Sequence, residues 1–110
     1  MPGKKFLAEF ELYVMLAIAQ RGEDAYGGAL RREIETRTGR PVTVGALYAT
    51  LDRLGEKGLL EFEVRDGESV RRGRPRKYCR LTPAGQDALA HSATMMRRMM
   101  DGLVFAGTPS

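Results

Sequence analysis

Arg71-Arg72-Gly73-Arg74-Pro75-Arg76-Lys77 separates two short stretches of strand character, and that placement decides how the rest of the chain is read. Upstream, Leu59 to Arg65 alternates weakly, with Leu60, Phe62 and Val64 on one face. Downstream, Lys77 to Leu81 places Cys79 and Leu81 on a common face. The two stretches read as the strands of a hairpin with the basic run near its tip. Between Arg65 and Arg80 there are seven Arg and Lys against Asp66 and Glu68, a net of +5, while the whole chain carries +4. The excess of positive charge therefore sits in this one segment, and charge so concentrated points to an anionic partner far better than a high isoelectric point does.

Working outward, the segment before the hairpin reads as a helix from Val44 to about Lys57, with Thr43 as N-cap and Gly58 as its stop. Val44, Leu47, Leu51 and Leu54 form its core-facing stripe, leaving Gly45, Tyr48, Ala49, Asp52, Arg53 and Glu56 on the outward arc. A preceding helix runs from about Tyr26 to Thr38, with Tyr26, Leu30 and Ile34 inside and Arg31, Arg32, Glu35 and Arg37 outside. Gly39 stops it, Pro41 confirms the break, and Asp24 is its expected N-cap. From Leu7 to Gln20 apolar residues nearly encircle a first helix, which must then be covered on most sides. One small core can hardly do that, so the first helix is expected to lie partly in its own core and partly against a second subunit, with Phe10 and Val14 in that contact. After the hairpin, Thr82 as N-cap and Pro83 at the first helical position announce a helix to about Gly102. Its Leu89, Ala93, Met96, Met100 and Leu103 recur at the spacing of a helix-pairing seam.

The expected fold is mainly α with a small β-hairpin: a winged helix-turn-helix with an N-terminal helix and a C-terminal dimerisation helix. Residues 1–82 would form the DNA-binding unit, 83–105 the dimerisation helix and 106–110 a frayed tail. At 110 residues, with 43% hydrophobic and 29% charged residues, the chain has the composition of a soluble domain able to bury a real core. No apolar run approaches the length of a membrane span, and Glu9 and Glu11 interrupt what a secretory signal would need, so a cytoplasmic address is expected. One cysteine and one histidine allow neither an internal disulfide nor a His/Cys metal cluster. No nucleophile with an adjacent base, paired catalytic carboxylates or phosphate-binding glycine loop appears. No cofactor and no enzymatic activity are expected.

Several short motifs then converge. Tyr26-Gly27, the stretch Gly45-Ala46-Leu47-Tyr48 with Leu51, Arg53, Leu54, Lys57, Gly58 and Leu59, and Arg76-Lys77-Tyr78 with Arg80-Leu81-Thr82-Pro83-Ala84-Gly85 together resemble the PadR family of bacterial transcriptional regulators. The single short C-terminal helix is similar to the family's smaller subgroup. The resemblance implies a homodimeric repressor, built through its N- and C-terminal helices, that binds a palindromic operator in double-stranded DNA. It also implies the dimer interface as the place for a small-molecule effector. A second aromatic is common in the family where Cys79 stands, and the chain has no Trp; both departures argue against a flat aromatic effector.

The expected DNA contacts are Thr43, Gly45, Ala46, Tyr48, Ala49 and Arg53 on the third helix. Small residues at its start would let the backbone approach phosphate, and the Tyr48 hydroxyl could reach a phosphate oxygen. On the hairpin, Arg72, Gly73, Arg74 and Pro75 have the composition of a minor-groove hook, with Arg71, Arg76 and Lys77 on phosphates. Plainer readings stand beside these. Tyr48 could shield the edge of the core, Arg53 could pair with Glu56, and the basic loop could serve solubility. Cys79 reads as a buried structural thiol or a redox sensor, and Met95, Met96, Met99 and Met100 as dimer core or an adaptable pocket. Two alternatives in function remain: a winged-helix protein-interaction module, or a non-specific architectural DNA-binding protein.

Overall fold

Glu11 determines where the first helix begins, because its carboxylate reaches back to accept the amide N–H of Ala8 at 2.9 Å. In the computed structural model, which describes residues 7–65 and 75–105, this helix (α1) spans Glu9–Arg21. It starts two residues later than its apolar run because Ala8, in extended conformation, occupies the capping position. A short 3-10 turn, Gly22–Asp24, leads to α2, Gly27–Thr38. Asp24 does not cap α2. The capping position belongs to Tyr26, which stands outside the helix in extended backbone and forms an antiparallel bridge with Tyr78, while the Cys79 N–H donates to the Ala25 carbonyl at 2.8 Å. Backbone pairing with the hairpin thus keeps Tyr26 from being the first helical residue.

Two side chains of α2 fasten the turn that follows it. The Arg31 Nε donates to the Val42 carbonyl at 2.9 Å and the Val42 N–H donates to the Glu35 carboxylate at 2.7 Å. The third helix, α3, spans Val44–Glu56, and the Thr43 hydroxyl accepts from the Ala46 N–H at 3.1 Å. Leu47, Leu51 and Leu54 are buried as their spacing predicts, with Thr50 beside them. Val44 is not: it is 51% exposed. Helical side chains lean toward the helix N-terminus, so the first residue overhangs the end of α3 instead of facing α2.

The hairpin pairs β1, Leu60–Arg65, with β2, Arg76–Leu81, in the register Leu60↔Leu81, Phe62↔Cys79 and Val64↔Lys77. Only its base is buried, at Leu60, Tyr78 and Cys79; exposure rises along the strands to Val64. The Phe62 ring lies against Gly55 of α3, where a Cβ would stand 2.7 Å from it. The last helix, α4, spans Pro83–Met100, with the Thr82 hydroxyl accepting from the Gly85 N–H at 3.0 Å.

The core is drawn from Val14, Met15, Ala17 and Ile18 of α1, Leu30 and Ile34 of α2, the α3 leucines, and Leu60 and Cys79 of the hairpin. Val14, expected at a subunit contact, is wholly buried in this core and has no surface to offer a partner. Phe10 is half-buried and packs against the same core. The large apolar side chain of α1 that is exposed is Leu16. On α4 only Gly85 is buried, and Met96, Met99 and Met100 are exposed; the helix ends at Met100, so Leu103, expected in its seam, lies beyond it, exposed together with Val104 and Phe105. The radius of gyration is 15.5 Å, against about 13 Å for a compact chain of about 100 residues. No helix among the described residues is long and apolar enough to cross a membrane.

Candidate nucleic-acid interface

The two dipeptides noted in the sequence, Tyr26-Gly27 and Leu47-Tyr48, meet in space. A Cβ on Gly27 would stand 2.2 Å from the Tyr48 hydroxyl oxygen, so the glycine at the start of α2 makes the room into which the tyrosine of α3 lies. Tyr48 nevertheless remains 42% exposed, half wedge against α2 and half open surface. Beside it the rest of the N-terminal turn of α3 is open: Thr43, Gly45, Ala46 and Ala49 are all exposed. A Cβ on Gly45 would meet nothing within 4 Å, so packing inside the protein does not require this glycine. The glycine leaves the backbone at the start of α3 bare of side chain and open to close approach from outside the chain.

From Gly27 the same surface continues through Tyr26 to the base of the hairpin. The Arg76 guanidinium lies over the Tyr26 ring, 4.1 Å from its centroid, and the Tyr78 ring meets Tyr26 edge-on at 5.6 Å. Arg32 donates to the Tyr26 hydroxyl at 3.0 Å. Lys77 projects over the Phe62 ring at 4.6 Å. Among the described residues Arg32, Arg76 and Lys77 form no ion pair, whereas Arg65 is matched by Glu23 and Glu63 and Arg80 by Glu61. The charge of the segment is therefore sorted: its two outer arginines are neutralised within the protein. Arg71, Arg72, Gly73 and Arg74 lie outside the described residues.

Arg53 departs from the sequence reading. It does not pair with Glu56: its Nε donates to Glu11 at 3.1 Å and its Nη2 to Thr50 at 3.2 Å, which ties it to α1 while leaving the side chain half exposed. Glu11 itself is buried and also receives Lys57 at 2.9 Å. Burial alone would raise its carboxyl, but hydrogen bonds from Lys57, the Ala8 amide and Arg53 outweigh burial and hold it below the ordinary carboxylate value. Burial pushes the Cys79 thiol up to about 11 against a weaker pull from Lys77. A thiol so placed is protonated at neutral pH and is a poor nucleophile, which favours the structural reading of Cys79.

Residues 15–91 match the family described as Transcriptional regulator PadR-like. The chain belongs to this family. It is 38% identical over 76 residues, 69% of its length, to Transcriptional regulator Rv3488 of Mycobacterium tuberculosis, and the match spans 66% of that protein's length. Among solved structures, the PadR family transcriptional regulator from Eggerthella lenta superposes with a TM-score of 0.64 at 35% identity, covering 84% of this chain and 82% of that one. The fold alone is shared with F93 from STIV, a winged-helix DNA-binding protein, at a TM-score of 0.71 and 18% identity over 91% of this chain and all of that one. The architecture of this PadR-like regulator is thus a winged helix, mainly helical with one antiparallel hairpin.

Two residues of this surface were missed in the sequence. Arg32 appeared only as part of the outer face of α2, and the Tyr26 ring was assigned to the inner face by its spacing. Their association with Arg76 joins positions more than forty residues apart, which no local pattern displays. Gly45 offers a direct check on the surface. Gly45→Ala is expected to raise stability by up to about 1 kcal/mol through helix propensity, yet to weaken binding to DNA. Thermal melts and fluorescence anisotropy measure the two effects, and an unchanged affinity would remove close approach as the reason for the glycine.

Proposed function

We propose that this PadR-like protein is a homodimeric, sequence-selective DNA-binding repressor. The start of α3 would enter the major groove, the hairpin arginines would contact the flanking minor groove and phosphates, and the operator would be palindromic. The observation that carries the reading is the coexistence, in one small molecule, of a cationic surface that forms no ion pair among the described residues and an exposed apolar groove. The groove lies between α1 and α4, lined by Leu12, Leu16, Leu89, Ala93, Met96 and Met100. Apolar side chains exposed in such a row are what an obligate partner helix would cover. A two-fold axis through that contact would present two recognition helices, and a separation of about 34 Å would match successive turns of one DNA face.

A small-molecule effector would act from the same contact. It would release DNA only if it bound more tightly to a dimer whose α3 helices are spaced wrongly for the operator. With the last turns of α4 rich in methionine, the contact can repack around different shapes.

The test is titration of DNA from upstream of the gene, and of scrambled DNA, at two salt concentrations, with sedimentation alongside. The expected result is a dimer that prefers the upstream fragment and binds with a steep salt slope. Met96→Glu should sediment as a monomer and lose about a hundredfold in affinity, since each half-site then binds alone. Arg72→Ala/Arg74→Ala should lose roughly two from the salt slope, about 0.9 per phosphate neutralised. Equal binding to both fragments would replace the repressor with an architectural role, and a monomeric wild type would remove the palindromic operator.

A further inference from the structure

Tyr26 gathers two cations from separate elements, one from α2 and one from the hairpin. Arg76 lies on the face of its ring, and Arg32 stands at the rim, 5.9 Å from the centroid and hydrogen-bonded to the phenol oxygen. Gly28 lies close beneath this arrangement: a Cβ there would be slightly tight against the Tyr26 ring at 3.3 Å and in ordinary contact with the Arg32 guanidinium at 3.5 Å. From behind, the buried Tyr78 packs edge-on against Tyr26 and is itself covered by the Arg65 guanidinium at 4.1 Å. Arg65 is occupied by Glu23 and Glu63 and so serves as a wall. Arg32 and Arg76, in contrast, form no ion pair among the described residues.

Two like charges gathered on one ring repel each other, and the cation–π attraction at an exposed site is weak. An arrangement of this kind is stabilised when an anion binds beside the cations. Guanidinium forks suit phosphate oxygens in particular, and a planar fork already stacked on an aromatic ring loses little freedom on binding. The pair also adjoins Gly27 and Tyr48, on the surface that leads to the start of α3.

We propose that Arg32 and Arg76 are a phosphate clamp for the DNA backbone, bridging α2 and the base of the hairpin, and that Tyr26 is the positioning residue that assembles it. The proposal rests on the DNA-binding reading above and adds to it a site that spans two elements. Tyr26 itself supplies no charge. Its function is to fix the spacing between two cations whose own chain segments are far apart.

The experiment is a salt titration of DNA affinity for the full chain and its variants, each first shown by thermal melting to be folded at the assay temperature. Arg32→Ala and Arg76→Ala should each lower the slope of log affinity against log salt by about 0.9 and weaken binding several-fold. Tyr26→Leu, although it removes no charge, should lower the slope nearly as much as the double arginine variant. In the Tyr26→Leu background, Arg32→Ala should add less than a further twofold or so. Tyr26→Phe, which keeps the ring and loses only the hydroxyl, should resemble Arg32→Ala and keeps the test available if the leucine variant fails to fold. Arg80→Ala is the control: it removes one charge from the same hairpin, but one already matched by Glu61, and should leave the slope unchanged. A wild-type slope in Tyr26→Leu or in both arginine variants would overturn the clamp while leaving DNA binding intact. A wild type that binds no duplex, or binds with a flat salt response, would overturn the DNA-binding reading and the clamp together.

Discussion

Gly85→Ala is expected to cost about 3 kcal/mol or more and to lower the melting temperature by on the order of 15 °C. Helix propensity alone predicts the opposite sign, since alanine is better than glycine within a helix by about 1 kcal/mol. Contact decides against propensity here. A Cβ on Gly85 would stand 2.1 Å from the Leu59 carbonyl oxygen and 3.1 Å from its carbon, and both are backbone atoms that cannot swing aside. To relieve the overlap, the start of α4 must lift from the start of β1. That movement breaks the Thr82 N–H bond to the Leu59 carbonyl at 3.1 Å and the Thr82 hydroxyl bond to the Gly58 carbonyl at 2.7 Å. The direction in which α4 leaves the domain is set by the same bonds, so the substitution should disturb the proposed dimer contact as well. Differential scanning calorimetry of Gly85→Ala beside Gly45→Ala gives the comparison: two glycines in first helical turns, with opposite expected signs. A Gly85→Ala variant as stable as wild type would mean that α4 does not dock against Leu59 as described.

Glu11→Ala should cost about 2 kcal/mol, less than the 3–5 kcal/mol typical of breaking a buried ion pair because its cations can partly rehydrate. The carboxylate is buried and accepts from the Ala8 amide, Arg53 and Lys57, joining the start of α1 to the end of α3. Arg53 is half exposed and Lys57 a quarter exposed, so neither is stranded when the carboxylate is removed. Glu11→Gln isolates the charge. Because the folded-state carboxyl is held below its ordinary value of 4.5, its contribution is fully present above that value and is lost as pH falls through the lowered folded-state value. Glu33, lowered chiefly by its hydrogen bond from Arg37 with burial opposing, acts with the same sign. Acid unfolding followed by circular dichroism should therefore show wild type losing stability below about pH 4.5, and Glu11→Gln less stable at neutral pH but with a flatter acid limb. Identical acid limbs in the two proteins would separate Glu11 from the acid transition.

Glu11 also shows where reading the chain alone was insufficient. In the sequence it registers only as a charge that a secretory signal would not carry. Its partners stand 42 and 46 residues away, and no spacing rule connects them. Arg53 illustrates the same limit from the other end: its place on the outward arc of α3 is correct, but the arc meets α1 at that level, and Glu11 engages it there. Val14 fails for a related reason. A helix apolar on nearly every side has no preferred inner face, so the sequence could say that α1 is covered all round but not which residue meets the domain's own core and which is left outward. The structure answers with Val14 inside and Leu16 outside.

What the chain determined by itself is everything carried by local chemistry. Thr43 and Thr82 cap the helices that follow them, Gly39 ends α2 at a left-handed φ of 72°, Leu47, Leu51 and Leu54 turn inward together, and two short strand stretches flank the basic run. Caps, stops and periodicities act within a turn or two of backbone, so their residues suffice to reveal them. Only the tertiary structure decided what crosses between elements: Tyr48 in the space left by Gly27, Glu11 on Arg53 and Lys57, Arg32 and Arg76 on one tyrosine, and the Leu59 carbonyl that admits no side chain at Gly85. Each depends on the distance between surfaces brought together by folding, and that distance is set by the packing of the whole core.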